Sequence, residues 1–231
     1  YPRHRRHRVR QRSLPGGPLA SSNLAALGEQ AARVRSAGYL HLDIEDGNFS
    51  PGITFGPDTI KLLRDYTDAE LDAHLMVTDP EPYIEELRDY GVCSIAVHLE
   101  SSRYPSRALN KIRQAGMRPG LALNYKTPVA EAVPYTDLAE YVLLLTNESD
   151  CAGIKFKPHS LERVKELRRL APAGCEIWVD GGVTPENLPL LAAAGADRAV
   201  MGRAVFSAAD PAARIRELAA LAAAAKEESH V

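Results

Sequence analysis

Cysteine is scarce in this sequence, and its few cysteines are poorly placed for a shared role. Cys93, Cys151 and Cys175 are the 3 cysteines among 231 residues. They are odd in number, far apart in the chain and without CxxC spacing. This pattern indicates neither a disulfide framework nor a thiolate metal site. We therefore predict a protein of the reducing cytoplasm.

Long apolar runs and an excess of one charge are also missing. No segment is long and apolar enough to span a membrane or to form the apolar part of a secretory signal. The 28 basic residues nearly balance the 30 acidic ones, for a net charge of −2. This balance argues against a general affinity for nucleic acid. We expect neither a nucleic acid nor a membrane as partner.

The first residues of the chain are an exception to the balanced charge. Arginines recur there and are mixed with His4 and His7, namely Arg3, Arg5, Arg6, Arg8, Arg10 and Arg12. We predict that residues 1–17 form a solvated, disordered tail rather than a phosphate-binding arm. A transit peptide is a further alternative, because the run is rich in arginine and free of acids. No Gly/Ser-rich linker follows, so residues 18–231 are predicted to form one domain.

One sequence pattern recurs along the chain: an amphipathic helix, a glycine and then a short apolar strand. The glycines are Gly38, Gly91, Gly116 and Gly195, each where a left-handed helix C-cap is expected. The strands are predicted to begin near Tyr39, Leu71, Ser94, Arg118, Tyr141, Glu176 and Arg198, after a weak first strand between Val9 and Ser21. The predicted helices lie near 23–37, 57–66, 80–90, 105–115, 128–139, 160–170, 185–194 and 210–226, with first-turn prolines at Pro57, Pro80, Pro105, Pro128 and Pro185.

Strict alternation of strands and helices implies parallel strands joined by crossover helices. Eight alternations fit one (β/α)8 TIM barrel. The alternative is an open doubly wound sheet, but no GxGxxG motif follows the first strand to support it.

Three predicted strands place ionisable side chains at their ends. In the segment 41–47, His41, Asp43 and Glu45 share one face, because side chains alternate along a strand. The second strand carries Asp72, His74 and Met76 on one face, and the third ends on Asp180. Histidine nitrogens and carboxylate oxygens suit zinc, manganese or iron(II).

The same placement has a second consequence in a barrel. Functional residues lie at the C-terminal ends of the strands, and phosphate often binds at the loops after the seventh and eighth. Gly181 and Gly182 follow the predicted seventh strand, and Gly202 and Arg203 follow the eighth.

Seven short sequence segments together resemble the ribulose-phosphate 3-epimerase family. They follow one another in the same order as in that family, and the resemblance extends from about residue 19 to 218. They lie at 41–49, 53–56, 71–76, 97–100, 121–124, 179–182 and 202–206. The resemblance implies a ribulose-phosphate-binding barrel that forms a homo-oligomer. It also implies epimerisation at C3 of a ketose phosphate, either D-ribulose 5-phosphate/D-xylulose 5-phosphate or a related sugar phosphate.

Carried over to this sequence, the resemblance implies a divalent metal ion held by His41, Asp43, His74 and Asp180. Zinc is the expected ion, with manganese, iron(II) and cobalt as alternatives. Asp43 and Asp180 would also be the acid/base pair, one on each side of the sugar carbon. The expected substrate-binding residues are Ser21, His74, Met76, Glu45, Gly181, Gly182, Gly202 and Arg203.

The sequence also departs from the family pattern, which indicates a divergent, paralogue-like member. The family usually has methionine where this chain has Glu45 and Leu145, and a glycine-rich phosphate loop where it has residues 148–154. Glu45 is interpreted as an outer partner of the metal site, a contact to a substrate hydroxyl or the partner of a cation such as Arg203. Arg203 either holds phosphate or is a surface residue, and His98 is either an outer partner of the site or a core histidine.

Two rival functions follow from the same barrel. A decarboxylase or aldolase of the orotidine-phosphate type would need a lysine in an Asp-x-Lys-x-x-Asp strand, which the segment 43–46 lacks. A metal- or sugar-binding barrel that has lost catalysis and plays a regulatory role is the second alternative. Turnover of a panel of ketose phosphates would separate it from an epimerase.

Overall fold

A computed structural model describes Leu19 and residues 23–35, 38–148 and 156–228 of the chain. The described strands form one parallel sheet of 7, in chain order. They are β1 Tyr39–Glu45, β2 Glu70–Met76, β3 Val92–His98, β4 Arg118–Leu123, β5 Tyr141–Leu145, β6 Glu176–Asp180 and β7 Arg198–Ala199. The predicted tail 1–17 and Ser21 lie outside the described residues, as does the predicted first strand apart from Leu19.

Helices alternate with these strands. They are α1 Leu27–Arg33, α2 Pro57–Leu63, α3 Tyr83–Asp89, α4 Pro105–Gln114, α5 Ser160–Leu170, α6 Leu188–Ala194, α7 Gly202–Phe206 and α8 Pro211–Glu228, with 3-10 helices at Leu24–Ala26 and Val129–Tyr135. Among the described helices, none is both long and apolar enough to cross a membrane.

The strand order distinguishes the barrel from the open sheet. Every described strand pairs with its successor in the chain, whereas a doubly wound sheet reverses its order at a switch point. The sheet also curls: the ring centroids of Tyr39 on β1 and Trp178 on β6, which would be far apart in a flat sheet, lie only 5.9 Å apart. The arrangement of the described strands and helices is that of a TIM barrel.

Alternating side chains divide the core into two parts. Leu40, Leu42 and Ile44 of β1 belong to the large cluster that packs the helices against the sheet. The opposite faces of the strands enclose a smaller interior cluster, which contains Ala96, Ala122, Tyr141, Leu143, Trp178 and Val200. Burial on both faces gives β5 its continuous apolar composition. The polar residues of the interior are thus the exceptions that demand partners.

Local chemistry explains where the helices agree with the prediction and where they do not. Gly38, Gly91, Gly116 and Gly195 all have positive φ, between 80° and 110°, as predicted for left-handed caps. The α-helix predicted over 128–139 is instead the 3-10 helix Val129–Tyr135, with Pro134 inside it. Proline has no N–H to continue an α-helical ladder.

Three of the prolines assigned to first turns precede their helices instead, and Pro128 is one of them, because it is the N-cap of the 3-10 helix Val129–Tyr135. Pro80 lies before α3, which begins at Tyr83, and Pro185 lies before α6. Before α6, the N–H of Thr184 donates to Asn187 Oδ1 at 2.8 Å, so Pro185 is part of a turn. Pro57 and Pro105 begin their helices as predicted.

A single glycine allows an aromatic side chain to cross the barrel interior. A Cβ atom at Gly120 on β4 would overlap the ring of Tyr141, whose hydroxyl donates to Asp72 Oδ1 at 2.9 Å. We expect Gly120→Ala to lower the free energy of unfolding by about 1–3 kcal/mol, the usual cost of overpacking. Denaturant unfolding measures it. Gly174→Ala is the control, because a Cβ there meets no atom within 4 Å; equal stability of the two variants would contradict the prediction.

Candidate active site

Four ionisable side chains from three strands converge at the C-terminal end of the sheet. His41 and Asp43 come from β1, His74 from β2 and Asp180 from β6, and their nearest ligand atoms all lie within 4.8 Å of one another. Parallel register places Asp43 directly beside His74, and curling of the sheet brings Asp180 across the barrel. Both imidazoles are completely buried, so their polar atoms need partners within the protein.

Each ring nitrogen of His41 lies close to a carboxylate oxygen. Nδ1 lies 2.5 Å from Oδ2 of the buried Asp72. When Nδ1 donates this hydrogen bond, Nε2 carries a lone pair. Nε2 lies 3.2 Å from Asp43 Oδ1 but makes no hydrogen bond in the described part of the chain. Two lone pairs that face each other in a buried site fit a bound cation, and a carboxylate behind the histidine is the usual support of a metal ligand.

Asp72 is a further candidate residue of the site, and the sequence alone indicated no role for it. Its Oδ1 accepts hydrogen bonds from Ser94 Oγ at 2.5 Å and from the Tyr141 hydroxyl at 2.9 Å. These donors favour the carboxylate form and fix its orientation toward His41. Its position two residues before His74 was the available signal, because alternation places both side chains inside the barrel.

His74 has a similar arrangement but a different supporting partner. Its Nδ1 lies 3.1 Å from Asp43 Oδ1 and 3.7 Å from Asp180 Oδ2. Its Nε2 lies 2.8 Å from Nε2 of His98, and His98 Nδ1 lies 3.0 Å from Glu100 Oε2. His98 is therefore both buried and an outer partner of the cluster, so the two alternatives left open for it are not exclusive.

The electrostatics of the cluster favour positive charge within it. Burial alone would lower the pKa of His41, but Asp43 and then Asp72 raise it well above the usual value. Burial opposes ionisation of Asp43 too, yet His41 and His74 hold its pKa below the usual range. Burial and the negative charge of Asp43 raise the pKa of Asp180. The two aspartates thus have pKa values displaced in opposite directions, a pattern common to acid/base pairs.

A cavity of about 910 Å³ opens from Asp43 and Asp180 toward the loops after β6 and β7. The predicted substrate-binding residues Gly181, Gly182, Gly202 and Arg203 all line it. Arg214 of α8 lines it as well. Sequence reasoning missed this second cation, because nothing in the amphipathic pattern of α8 shows which of its arginines faces a cavity.

The loop after β6 is fixed by its neighbours. Gly181 has a φ of 106° and Gly182 a φ of 67°, which favour glycine. A Cβ at Gly181 would also overlap Asn147 Oδ1. Thr146 donates its N–H and its hydroxyl to the carbonyl of Asp180, at 2.7 and 3.0 Å. These contacts join the ends of β5 and β6 and hold Asp180 at the cavity.

A sequence model of the ribulose-phosphate 3 epimerase family matches residues 16–206. The chain belongs to the ribulose-phosphate 3-epimerase family. It is 41% identical over 194 residues to the cytoplasmic isoform of ribulose-phosphate 3-epimerase from Oryza sativa subsp. japonica, covering 82% of this chain and 84% of the relative. It is 35% identical over 206 residues to the ribulose-phosphate 3-epimerase of Bacillus subtilis (strain 168), covering 87% and 95%. The resemblance identified from the sequence is confirmed, and the chain is an isomerase of the epimerase type.

Solved structures agree with the fold at much lower identity. KGPDC from Streptococcus mutans superposes with a TM-score of 0.69 at 15% identity, over 93% of this chain and 99% of that chain. Orotidine 5'-phosphate decarboxylase from Pyrococcus horikoshii OT3 superposes with a TM-score of 0.67 at 15% identity, over 91% and 99%. Likeness at this identity shows that the barrel is shared. It does not show that the chemistry is shared, because one barrel can carry many different reactions.

The residues that depart from the family pattern lie close to the cluster. Glu45 ends β1 beside Met76 in the register, and its Oε1 accepts a hydrogen bond from Ser50 Oγ at 2.8 Å. Met76 is buried and Leu145 pairs with Asp180. Glu45 is not one of the four converging residues. Of the altered phosphate loop, residues 149–154 lie outside the described part of the chain.

Proposed function

We propose that this protein is a metal-dependent epimerase that inverts C3 of a ketose phosphate. The substrate is D-ribulose 5-phosphate, with D-xylulose 5-phosphate as product, or a related sugar phosphate. One observation carries the proposal: two partly buried carboxylates with opposite pKa shifts meet two buried imidazoles at the mouth of a cavity. The names of the epimerases from rice and Bacillus subtilis support the same substrate.

The donor set suits a divalent transition metal, most readily zinc. Two imidazole nitrogens and two carboxylate oxygens within 4.8 Å of one another match the nitrogen and oxygen ligands that zinc, manganese and iron(II) take. His41 Nε2 makes no hydrogen bond among the residues that the structure describes and faces Asp43, so it fits the same assignment. When bound, the metal supplies a Lewis acid that stabilises negative charge on the substrate oxygens.

The two aspartates supply the proton transfers. Inversion needs one group to remove the C3 proton and a second to return a proton on the opposite face, because one side chain cannot reach both. Asp43, with its lowered pKa, accepts the proton, and Asp180, with its raised pKa, donates one. The reverse reaction exchanges their roles. Between the two steps the substrate is an enediolate, and burial of the cluster keeps water from quenching it.

The loops after β6 and β7 are proposed to hold the phosphate. Gly181 and Gly182 bring backbone close to the cavity, while Arg203 and Arg214 contribute positive charge to its lining. These groups lie in the described residues, whereas most of loop 148–154 does not. Glu45 faces the same end of the barrel, and we assign it to a substrate hydroxyl or to the outer partners of the metal.

We expect Arg203→Ala to raise KM about threefold to tenfold and to leave kcat nearly unchanged. A contact to a remote phosphate stabilises substrate and transition state alike, and the exposure of Arg203 weakens its ion pair. Steady-state kinetics with D-ribulose 5-phosphate measure both constants. Arg216→Ala is the control, because Arg216, which lies on α8, is exposed as Arg203 is. A loss confined to kcat would refute the assignment.

The function is tested by turnover of ketose phosphates and their unphosphorylated sugars by metal-replete protein. Epimerisation of D-ribulose 5-phosphate at C3 is expected. Binding of metal without turnover of any sugar would instead favour the regulatory barrel. Equal turnover of free sugar and sugar phosphate would refute the proposed phosphate site. Glu45 would then be interpreted as a contact to a sugar hydroxyl. Zinc as the metal, a homo-oligomer and a cytoplasmic location stay predictions.

A further inference from the structure

A chain of hydrogen bonds leads from the loop after β3 to the candidate metal site. Glu100 contacts His98, and His98 contacts His74, with distances of 3.0 Å between Oε2 and Nδ1 and 2.8 Å between the two Nε2 atoms. Both histidines are completely buried. The geometry therefore fixes which ring nitrogen of each carries its proton.

The direction of the chain is set at Glu100. Its Oε1 accepts hydrogen bonds from the N–H of Asn124 at 2.8 Å and from the hydroxyl of Thr127. A carboxylate has only acceptors, so His98 must donate from Nδ1. That leaves His98 Nε2 as an acceptor, and His74 must donate from its own Nε2. When a metal ion is bound, the lone pair of His74 then lies on Nδ1, the atom that faces Asp43 and Asp180, because the cation takes the place of the proton that His74 otherwise donates to Asp43.

The donors that hold Glu100 are themselves fixed. The guanidinium of Arg163 on α5 donates to the carbonyls of Asn124 and Thr127, at 3.0 and 2.8 Å. A further bond from Arg163 to the carbonyl of Leu145 measures 2.9 Å. Arg163 is buried, and it ties the loop after β4 to the end of β5. Glu100 therefore meets two donors whose positions cannot easily adjust.

We propose that Glu100 and His98 are positioning residues that hold His74 in the tautomer able to bind a metal through Nδ1. The inference rests on the metal site of the proposed function and adds to it the group that makes His74 a ligand. Neither residue belongs to the four converging side chains or lines the cavity beside them. Their effect is transmitted through the positions of the ring protons on the two imidazoles.

The substitution Glu100→Gln tests this inference, because it preserves shape and reverses one hydrogen bond. The Asn124 N–H and the Thr127 hydroxyl still require an acceptor, so the amide oxygen faces them and the NH₂ group faces His98. His98 must then accept at Nδ1 and carry its proton on Nε2. Its N–H would oppose the N–H of His74, unless His74 moves its proton to Nδ1 and loses its lone pair there.

Two measurements are made on the full chain. Long-range ¹⁵N–¹H spectra of histidine-labelled protein, with and without zinc, report the tautomer of His98. Competition with a chromophoric chelator reports the zinc dissociation constant. In the unsubstituted protein we expect the ring proton of His98 on Nδ1. In Glu100→Gln we expect the His98 proton on Nε2, with zinc affinity about 10- to 100-fold weaker, the usual effect of changing the partner of a ligand histidine.

The control is Glu186→Gln, which removes one negative charge from an exposed residue that makes no hydrogen bond or ion pair to the four converging side chains of the described structure. Its His98 tautomer and zinc affinity are expected to stay unchanged. Equal weakening of zinc binding in both variants would reduce the effect to charge alone and overturn the inference. So would an unchanged tautomer in Glu100→Gln, or an inverted tautomer with unchanged zinc affinity.

Failure of the proposed function has a different signature. If the unsubstituted protein does not bind zinc, manganese, iron(II) or cobalt, the metal site is refuted, whatever the tautomer of His98. If it binds the metal and only the response of Glu100→Gln is missing, the site stands and the positioning role is refuted. Thermal unfolding of each variant shows whether the comparison is made between equally folded proteins.

Discussion

Asp43→Asn and Asp180→Asn are each expected to lower kcat for epimerisation by about 10²- to 10⁴-fold, the usual contribution of a positioned acid or base. Asparagine has nearly the shape of aspartate but does not exchange a proton at neutral pH. Both side chains are only 13% exposed, so little water is available to replace the missing group. Because each aspartate is also a proposed metal ligand, the assays are made at saturating metal, with occupancy measured in parallel.

Isotope exchange separates the roles of the two aspartates. Each base is expected to face one side of the sugar carbon, so each variant should retain washout of label from only one epimer. Incorporation of solvent deuterium is measured with D-ribulose 5-phosphate and D-xylulose 5-phosphate separately. The unsubstituted protein, which should exchange with both, is the control. Equal residual exchange into both epimers by either variant would argue against two bases on opposite faces.

Removal of the metal is expected to lower activity by about 100-fold or more. A Lewis acid contributes several kcal/mol to the stabilisation of an enediolate, and each 1.4 kcal/mol is about tenfold in rate. Elemental analysis of protein purified without chelators is expected to show about one divalent ion per chain. Chelation should remove both metal and activity, and zinc or manganese should restore them.

His74→Ala tests the proposed ligand set directly. Loss of the Nδ1 atom beside Asp43 and Asp180 should lower occupancy strongly, whereas the exposed His159 offers a control substitution by alanine. Full metal occupancy in His74→Ala would show that the metal binds at a different site. Undiminished activity of metal-free protein would leave the two aspartates without the proposed Lewis acid.

The sequence determined the architecture because the relevant signals are local. Side chains alternate along a strand, so the segment beginning at Tyr39 could be assigned to β1, with His41 and Asp43 on its interior face. Glycine at positions such as Gly195 marked the helix ends through its backbone freedom. The segment Val129–Tyr135 forms a 3-10 helix where the sequence predicted an α-helix. Pro134 lacks the N–H that an α-helix needs there, and this local signal was hidden by the helical periodicity of the segment.

The candidate site was only partly accessible to the same reasoning. The face shared by Asp72 and His74 was evident from alternation, but the role of Asp72 depends on His41, a residue 31 positions away. The bond between Asp72 and Tyr141 spans 69 positions. Pairs so distant in the chain leave no periodic trace, because their approach is set by how the sheet curls and not by any neighbouring residue.

The sequence by itself determined the barrel class, the family and the strand ends at which His41, Asp43, His74 and Asp180 stand. Only the tertiary structure decided that these four side chains converge. It also joined Glu100 through His98 to His74 and brought Arg214 to the cavity. The physical reason is that alternation and capping act between neighbours along the chain. Tautomers, pKa values and cavities depend on charges and hydrogen bonds between strands that meet only when the sheet closes.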